Sequence, residues 1–137
     1  MARLDKLGIA YEVVPGISAF QAAAAALKCE LTAPELAQTV CLTRAPGRTP
    51  APAAHTLEKI APLQATMCIF LSTDRMAEVA GALAPHYGAD CPAALVWHAS
   101  WPDEIIVRGT LADIAARAWA AGAACRPAGL SRPSGAG

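Results

Sequence analysis

The chain has 137 residues, 55% of them hydrophobic and 16% charged, and its 11 basic side chains balance its 11 acidic ones. That length predicts one domain able to bury about two-thirds of the surface its unfolded chain exposes, and zero net charge leaves no global basic field for nucleic acid. No uncharged apolar run reaches the roughly 18 residues that cross a bilayer, and Met1-Ala-Arg-Leu-Asp-Lys-Leu7 lacks the apolar stretch of a secretory signal, so a cytoplasmic protein with no membrane partner is expected.

Short β-like runs alternate with helix-like ones. Tyr11-Glu-Val-Val14 reads as a strand stopped by Pro15-Gly16. Ser18 to Gln21 has the spacing of a capping box, and Phe20, Ala23, Ala24 and Leu27 follow on one helical face. Gln38 to Thr43 reads as a second strand, and Arg44 to His55 as a loop rich in proline. Thr56 can cap a short helix ending at Ile60. The apolar run Thr66 to Leu71 suits a strand covered on both faces. Asp74 can cap the next helix, whose stripe is Met76, Val79, Ala80 and Leu83. Ala94 to His98 and Ile105 to Val107 flank a turn at Trp101-Pro-Asp-Glu104 and are close enough to form a hairpin. Thr110 to Asp113 repeats the capping-box spacing ahead of Leu111, Ile114 and Ala118, and Gly122 can end that helix.

This order predicts an α/β domain over residues 1–122, with a mostly parallel, mixed sheet of about five strands and flanking helices. Residues 123–137 carry proline, glycine and serine without an apolar period and read as a disordered tail. Much of the apolar content is alanine, so the core should be built from small residues.

The five cysteines (Cys29, Cys41, Cys68, Cys91 and Cys125) form no Cys-x-x-Cys pair, and Cys41 and Cys68 lie in apolar runs, where a free thiol behaves as a small hydrophobe. His55, His86 and His98 show no metal-ligand spacing and read as satisfied or solvent-facing residues. No metal site and no catalytic triad is expected.

Four segments carry a family resemblance: Tyr11 to Ala19, Glu30 to Pro50, Ala65 to Ser72, and Ala99 to Ile114. Together they resemble the second, C-terminal domain of the tetrapyrrole (corrin/porphyrin) methylases over roughly residues 2–122. Thr43-Arg44 stands where many members, such as the uroporphyrinogen-III enzymes, carry Gly-His. With Gly47-Arg48-Thr49-Pro50 it is similar to the precorrin-4 C(11)-methyltransferase branch of cobalamin synthesis. The family's first domain, with its Gly-rich loop, has no counterpart in this sequence, and its last apolar strand is replaced by Arg126-Pro-Ala-Gly-Leu-Ser-Arg-Pro133.

The resemblance implies methyl transfer from S-adenosylmethionine to a tetrapyrrole, by a protein that is a homodimer at full length. It implies cofactor contacts at Ser18, Ala19, Leu71, Gly109 and Thr110. Arg44 and Arg48 are the implied partners of precorrin carboxylates, which the planar guanidinium can hold through paired hydrogen bonds. Each position also has an ordinary reading: an N-cap at Ser18, core packing at Leu71, a turn at Gly109, solvated loop charges at Arg44 and Arg48. At the level of the whole chain the alternatives are a non-catalytic remnant or dimerisation module, or another methylase of the fold.

Overall fold

The computed structural model describes residues 1–45, 52–70 and 72–123. In chain order the elements are α1 (Ala2–Lys6), α2 (Ala19–Leu27), β1 (Val40–Arg44), α3 (Leu57–Ile60), β2 (Thr66–Phe70), α4 (Met76–Tyr87), β3 (Pro92–Trp97), β4 (Ile105–Thr110) and α5 (Ile114–Ala120). Single turns of tighter helix precede α3, follow it, and precede α4.

Among the described residues the strands make two sheets of two, not one sheet of five. β1 and β2 run parallel, from Val40 opposite Thr66 to Arg44 opposite Phe70. β3 and β4 form the expected antiparallel hairpin, from Pro92 opposite Thr110 to Trp97 opposite Ile105. Pro92 has no N–H to donate, which suits the first residue of an edge strand. The predicted strand Tyr11–Val14 forms no ladder. Its β-branched residues favour extended backbone, but a strand also needs a neighbour to take up its N–H and C=O groups, and Val14 is 78% exposed.

α2 follows from a run of alanines, the best helix formers. Ser18 takes the extended N-cap conformation, yet its hydroxyl makes no capping bond, so the expected capping box is not closed. Lys28 ends the helix in the left-handed region, with its own N–H and that of Cys29 returning to Ala25 and Ala24. The N-cap of α4 is Arg75 rather than Asp74, because residues 73–75 form a tight turn of their own that carries Asp74 into its middle.

α4 joins the two sheets. Val79 and Leu83 pack with Ala45, Leu57 and Ala61 beneath the parallel pair. Ala80 packs with Leu95, Val107, Ile114 and Ala118 beneath the hairpin. Partly buried Leu111 touches both groups. Among the described residues, six of the twelve buried core residues are alanines (Ala45, Ala61, Ala65, Ala80, Ala118 and Ala123), as the composition implies.

α5 closes on a Schellman motif. Gly122 (φ +73°) returns its N–H to Trp119, and Ala123 returns its own to Ala118. That bond folds Ala123, the first residue of the predicted tail, into the core, where it is 4% exposed. The remainder of that tail, residues 124–137, lies outside the described residues.

Candidate functional site

A cavity of about 660 Å³ opens between α2 and the two sheets. Ala19, Phe20, Ala23, Ala24 and Leu27 form the α2 wall, while the segment after α2, β2, most of β3 and the inner face of α4 form the others. β2 is therefore half-buried along its length instead of fully buried, since one side of the strand opens into this space. The volume falls in the range of small-molecule and cofactor sites, which are mostly apolar with a few placed polar groups.

Those polar groups are largely committed to the protein. The buried Ser72 hydroxyl donates to the Ile69 carbonyl at 3.3 Å. The Tyr87 hydroxyl donates to the Ala65 carbonyl at 2.7 Å. Cys29, Cys68 and Cys91 also line the cavity. Burial pushes the Cys68 thiol up, with smaller contributions from Cys29 and Cys41, and burial with Asp90 does the same at Cys91. Raised thiols are held as S–H at neutral pH, which suits small hydrophobes and not nucleophiles.

The turn from β4 into α5 borders the cavity through Leu111. Each amide from 110 to 113 is taken up within the protein. Thr110 donates to Asp113 Oδ1 at 2.7 Å. Leu111 donates to the Cys91 carbonyl, Ala112 to that of Ala89, and Asp113 to that of Thr110. The Thr110 hydroxyl reaches the same Asp113 oxygen at 3.3 Å, and Arg117 Nε donates to Oδ2 at 2.5 Å. The predicted capping box is thus half made: the acidic residue reaches back, and α5 starts after Asp113. The Thr110 amide, followed by Arg117, holds the Asp113 carboxyl below its ordinary value.

Gly109 fits into this cluster. A methyl group at its Cα would run into Asp113 Oδ1 and lie 2.9 Å from Arg117 Cδ. Its φ is not in the left-handed region, so the demand for glycine here is one of space and not of backbone conformation.

The predicted site residues come together in part. Ala19 lines the cavity and Ser18 precedes it at the exposed start of α2. Leu71 lies outside the described residues, but its neighbours Phe70 and Ser72 both line the cavity. Gly109 and Thr110 pair with Ala93 and Pro92, which line it as well. Arg44 ends β1 opposite Phe70, exposed between half-buried Thr43 and buried Ala45, and is not in the cavity wall. Arg48 lies outside the described residues.

Among the described residues no cluster of His, Cys, Asp or Glu could hold a metal ion, and no helix is long and apolar enough to cross a membrane. His98 is satisfied, as expected: Nδ1 lies 3.0 Å from Asp103 Oδ2 and the ring stacks on Trp97. The sequence reading missed Asp113 as anything beyond a cap. Its spacing from Thr110 was visible, but the steric tie to Gly109 and the bond to Arg117 appear only when β4 and α5 are docked.

The sequence profile of the Tetrapyrrole (Corrin/Porphyrin) Methylases matches residues 1–115. A precorrin-4 C(11)-methyltransferase of Pseudomonas aeruginosa is 51% identical over 111 residues, 81% of this chain and 44% of that protein. A cobalt-precorrin-4 C(11)-methyltransferase of Methanocaldococcus jannaschii is 50% identical over 113 residues, 82% of this chain and 44% of that protein. Among solved structures, the cobalamin biosynthetic enzyme cobalt precorrin-4 methyltransferase, CbiF, superimposes with a TM-score of 0.85 at 39% identity, covering 90% of this chain and 52% of that one. A uroporphyrin-III C-methyltransferase from Thermus thermophilus, complexed with S-adenosyl homocysteine, shares the fold with a TM-score of 0.62 at 22% identity, covering 82% of this chain and 49% of that one. The chain spans about half the length of the curated relatives it matches. With a family match over most of its length and an α/β architecture like that of CbiF, this chain belongs to the tetrapyrrole methylases.

Proposed function

We propose that the chain is the C-terminal half of an S-adenosylmethionine-dependent methyltransferase acting on carbon 11 of precorrin-4 in cobalamin biosynthesis. The observation that carries this reading is the likeness to CbiF over nine-tenths of the chain, at 39% identity. Thr43-Arg44, where other branches of the family carry Gly-His, points the same way. By resemblance the complete protein is a homodimer that binds a tetrapyrrole as its small-molecule substrate.

The residues fit such a cofactor. The first amides of α2 have no side-chain cap, and the cavity behind Ala19 is apolar and large enough for an adenosyl group. When bound, S-adenosylmethionine supplies a methyl carbon already made electrophilic by the sulfonium. The protein's part is then to hold donor and acceptor in line and to exclude water. Ser18, Ala19, Leu71, Gly109 and Thr110 hold the cofactor in this reading, and Arg44 and Arg48 meet the carboxylates of the tetrapyrrole.

Two expected results follow. This chain alone should bind S-adenosylhomocysteine with a constant weaker than micromolar, because each 1.4 kcal/mol of contact energy lost costs tenfold in affinity. Calorimetry giving a micromolar constant would mean that this half carries the whole cofactor site. In a complete enzyme made by joining the first half of a relative to this chain, Arg44→Ala should weaken tetrapyrrole binding by about 1.5 kcal/mol, roughly tenfold, as for one charge-assisted hydrogen bond. Arg44→Lys should recover part of it, and cofactor affinity should stay as it was. Unchanged tetrapyrrole affinity would show that Arg44 does not grip the substrate.

A further inference from the structure

We infer that Asp113 is a positioning residue for the cofactor site: its carboxylate braces the Gly109–Thr110 end of β4 against α5 and so fixes the backbone that the cofactor meets. This rests on the reading of Gly109 as a cofactor-contacting residue. The rest of the turn is anchored from outside, Leu111 and Ala112 donating to the carbonyls of Cys91 and Ala89. The Thr110 amide instead donates to Asp113 Oδ1, at 2.7 Å. On the opposite side of the carboxylate, Arg117 Nε donates to Oδ2 and stops it from rotating away. Gly109 completes the fit, since its bare Cα is what lets Oδ1 and the Arg117 chain lie against β4. Pro92 and Ala93, which pair with Thr110 and Gly109, form part of the cavity wall, so a shift of this strand end moves the wall with it.

A negatively charged brace has a pH signature. The Thr110 and Arg117 hydrogen bonds hold the Asp113 carboxyl below its ordinary value. The folded value lies below the unfolded one, so the contribution is complete above the ordinary carboxylate range, about 3.9, and is lost as pH falls through the lower folded value.

The test uses the isotopically labelled chain and S-adenosylhomocysteine in NMR titrations reaching millimolar concentrations. In the wild-type chain the Thr110 amide should titrate with a midpoint below the usual aspartate value, and the ligand should perturb the amides around Gly109. Asp113→Ala should weaken that binding by tenfold or more. Asp113→Asn keeps an acceptor for Thr110, so it should bind within about threefold of wild type and lose the low-pH titration. Asp113→Ala binding within twofold of wild type would overturn the proposal, as would a Thr110 amide that does not titrate. Ligand shifts elsewhere but none at Gly109 would overturn it through the cofactor reading beneath it. A normal Thr110 titration in that case would show that the brace exists and the ligand lies elsewhere. If Asp113→Ala does not fold, the wild-type titration and Asp113→Asn still decide.

Discussion

Ile114→Ala should lower the unfolding free energy of the chain by about 3–4 kcal/mol, in the upper part of the range for truncating a buried aliphatic side chain. Ile114 is 2% exposed and is the largest fully buried side chain among the described residues. It sits where α5, α4 and the hairpin converge, against Ala80, Leu95, Val107, Ala118 and Ala123. Three of those neighbours are alanines, whose methyl groups are fixed to backbone and cannot swing in to fill a void. The cavity therefore stays open and adds its own cost to the lost transfer energy. Urea unfolding should show a lower midpoint at an unchanged slope. Leu42→Ala is the control: this strand residue is 54% exposed, and its loss should cost under about 1 kcal/mol. A loss below 1 kcal/mol at Ile114 would mean that the cluster under the hairpin is looser than described.

Gly109→Ala should lower the urea midpoint of unfolding even though it adds only a methyl group. The new Cβ displaces the Asp113 carboxylate, and the Thr110 amide loses a charge-assisted hydrogen bond. The background decides the interpretation. With Asp113→Ala already made, the obstacle is smaller and the bond already gone, so adding Gly109→Ala should change stability by less than about 0.5 kcal/mol. The losses from the two single substitutions should therefore be clearly less than additive in the double variant. Additive effects would detach Gly109 from Asp113 and make the glycine a simple requirement of the turn.

Much of this architecture is visible as period and punctuation. The stripe Met76, Val79, Ala80 and Leu83 is the face that α4 turns inward, although its two halves serve different clusters. The hairpin is legible because both strands and their turn lie within about twenty residues, so local pattern and long-range pairing coincide. Sheet composition is not legible in the same way. Tyr11–Val14 has the residues of a strand, but pairing depends on a neighbour that the run itself does not specify, and none of the four strands takes it up. At the candidate site, the resemblance pointed to Ser18, Ala19, Leu71, Gly109 and Thr110; of these Ala19 lines the cavity, and Gly109 and Thr110 pair with Ala93 and Pro92, which line it. What the sequence did not disclose is how Thr110 is employed. Its N–H and hydroxyl look available for a ligand on paper, and both are bound to Asp113 in the structure.

The most direct test of the account is methyl transfer itself. The first half of a precorrin-4 relative would be joined to this chain, and the purified protein given precorrin-4 and S-adenosylmethionine labelled at the methyl carbon. One labelled methyl should appear on the tetrapyrrole, located by NMR at carbon 11, with equimolar S-adenosylhomocysteine released. A folded protein that binds S-adenosylhomocysteine but transfers no methyl, or transfers it to another carbon, would contradict it.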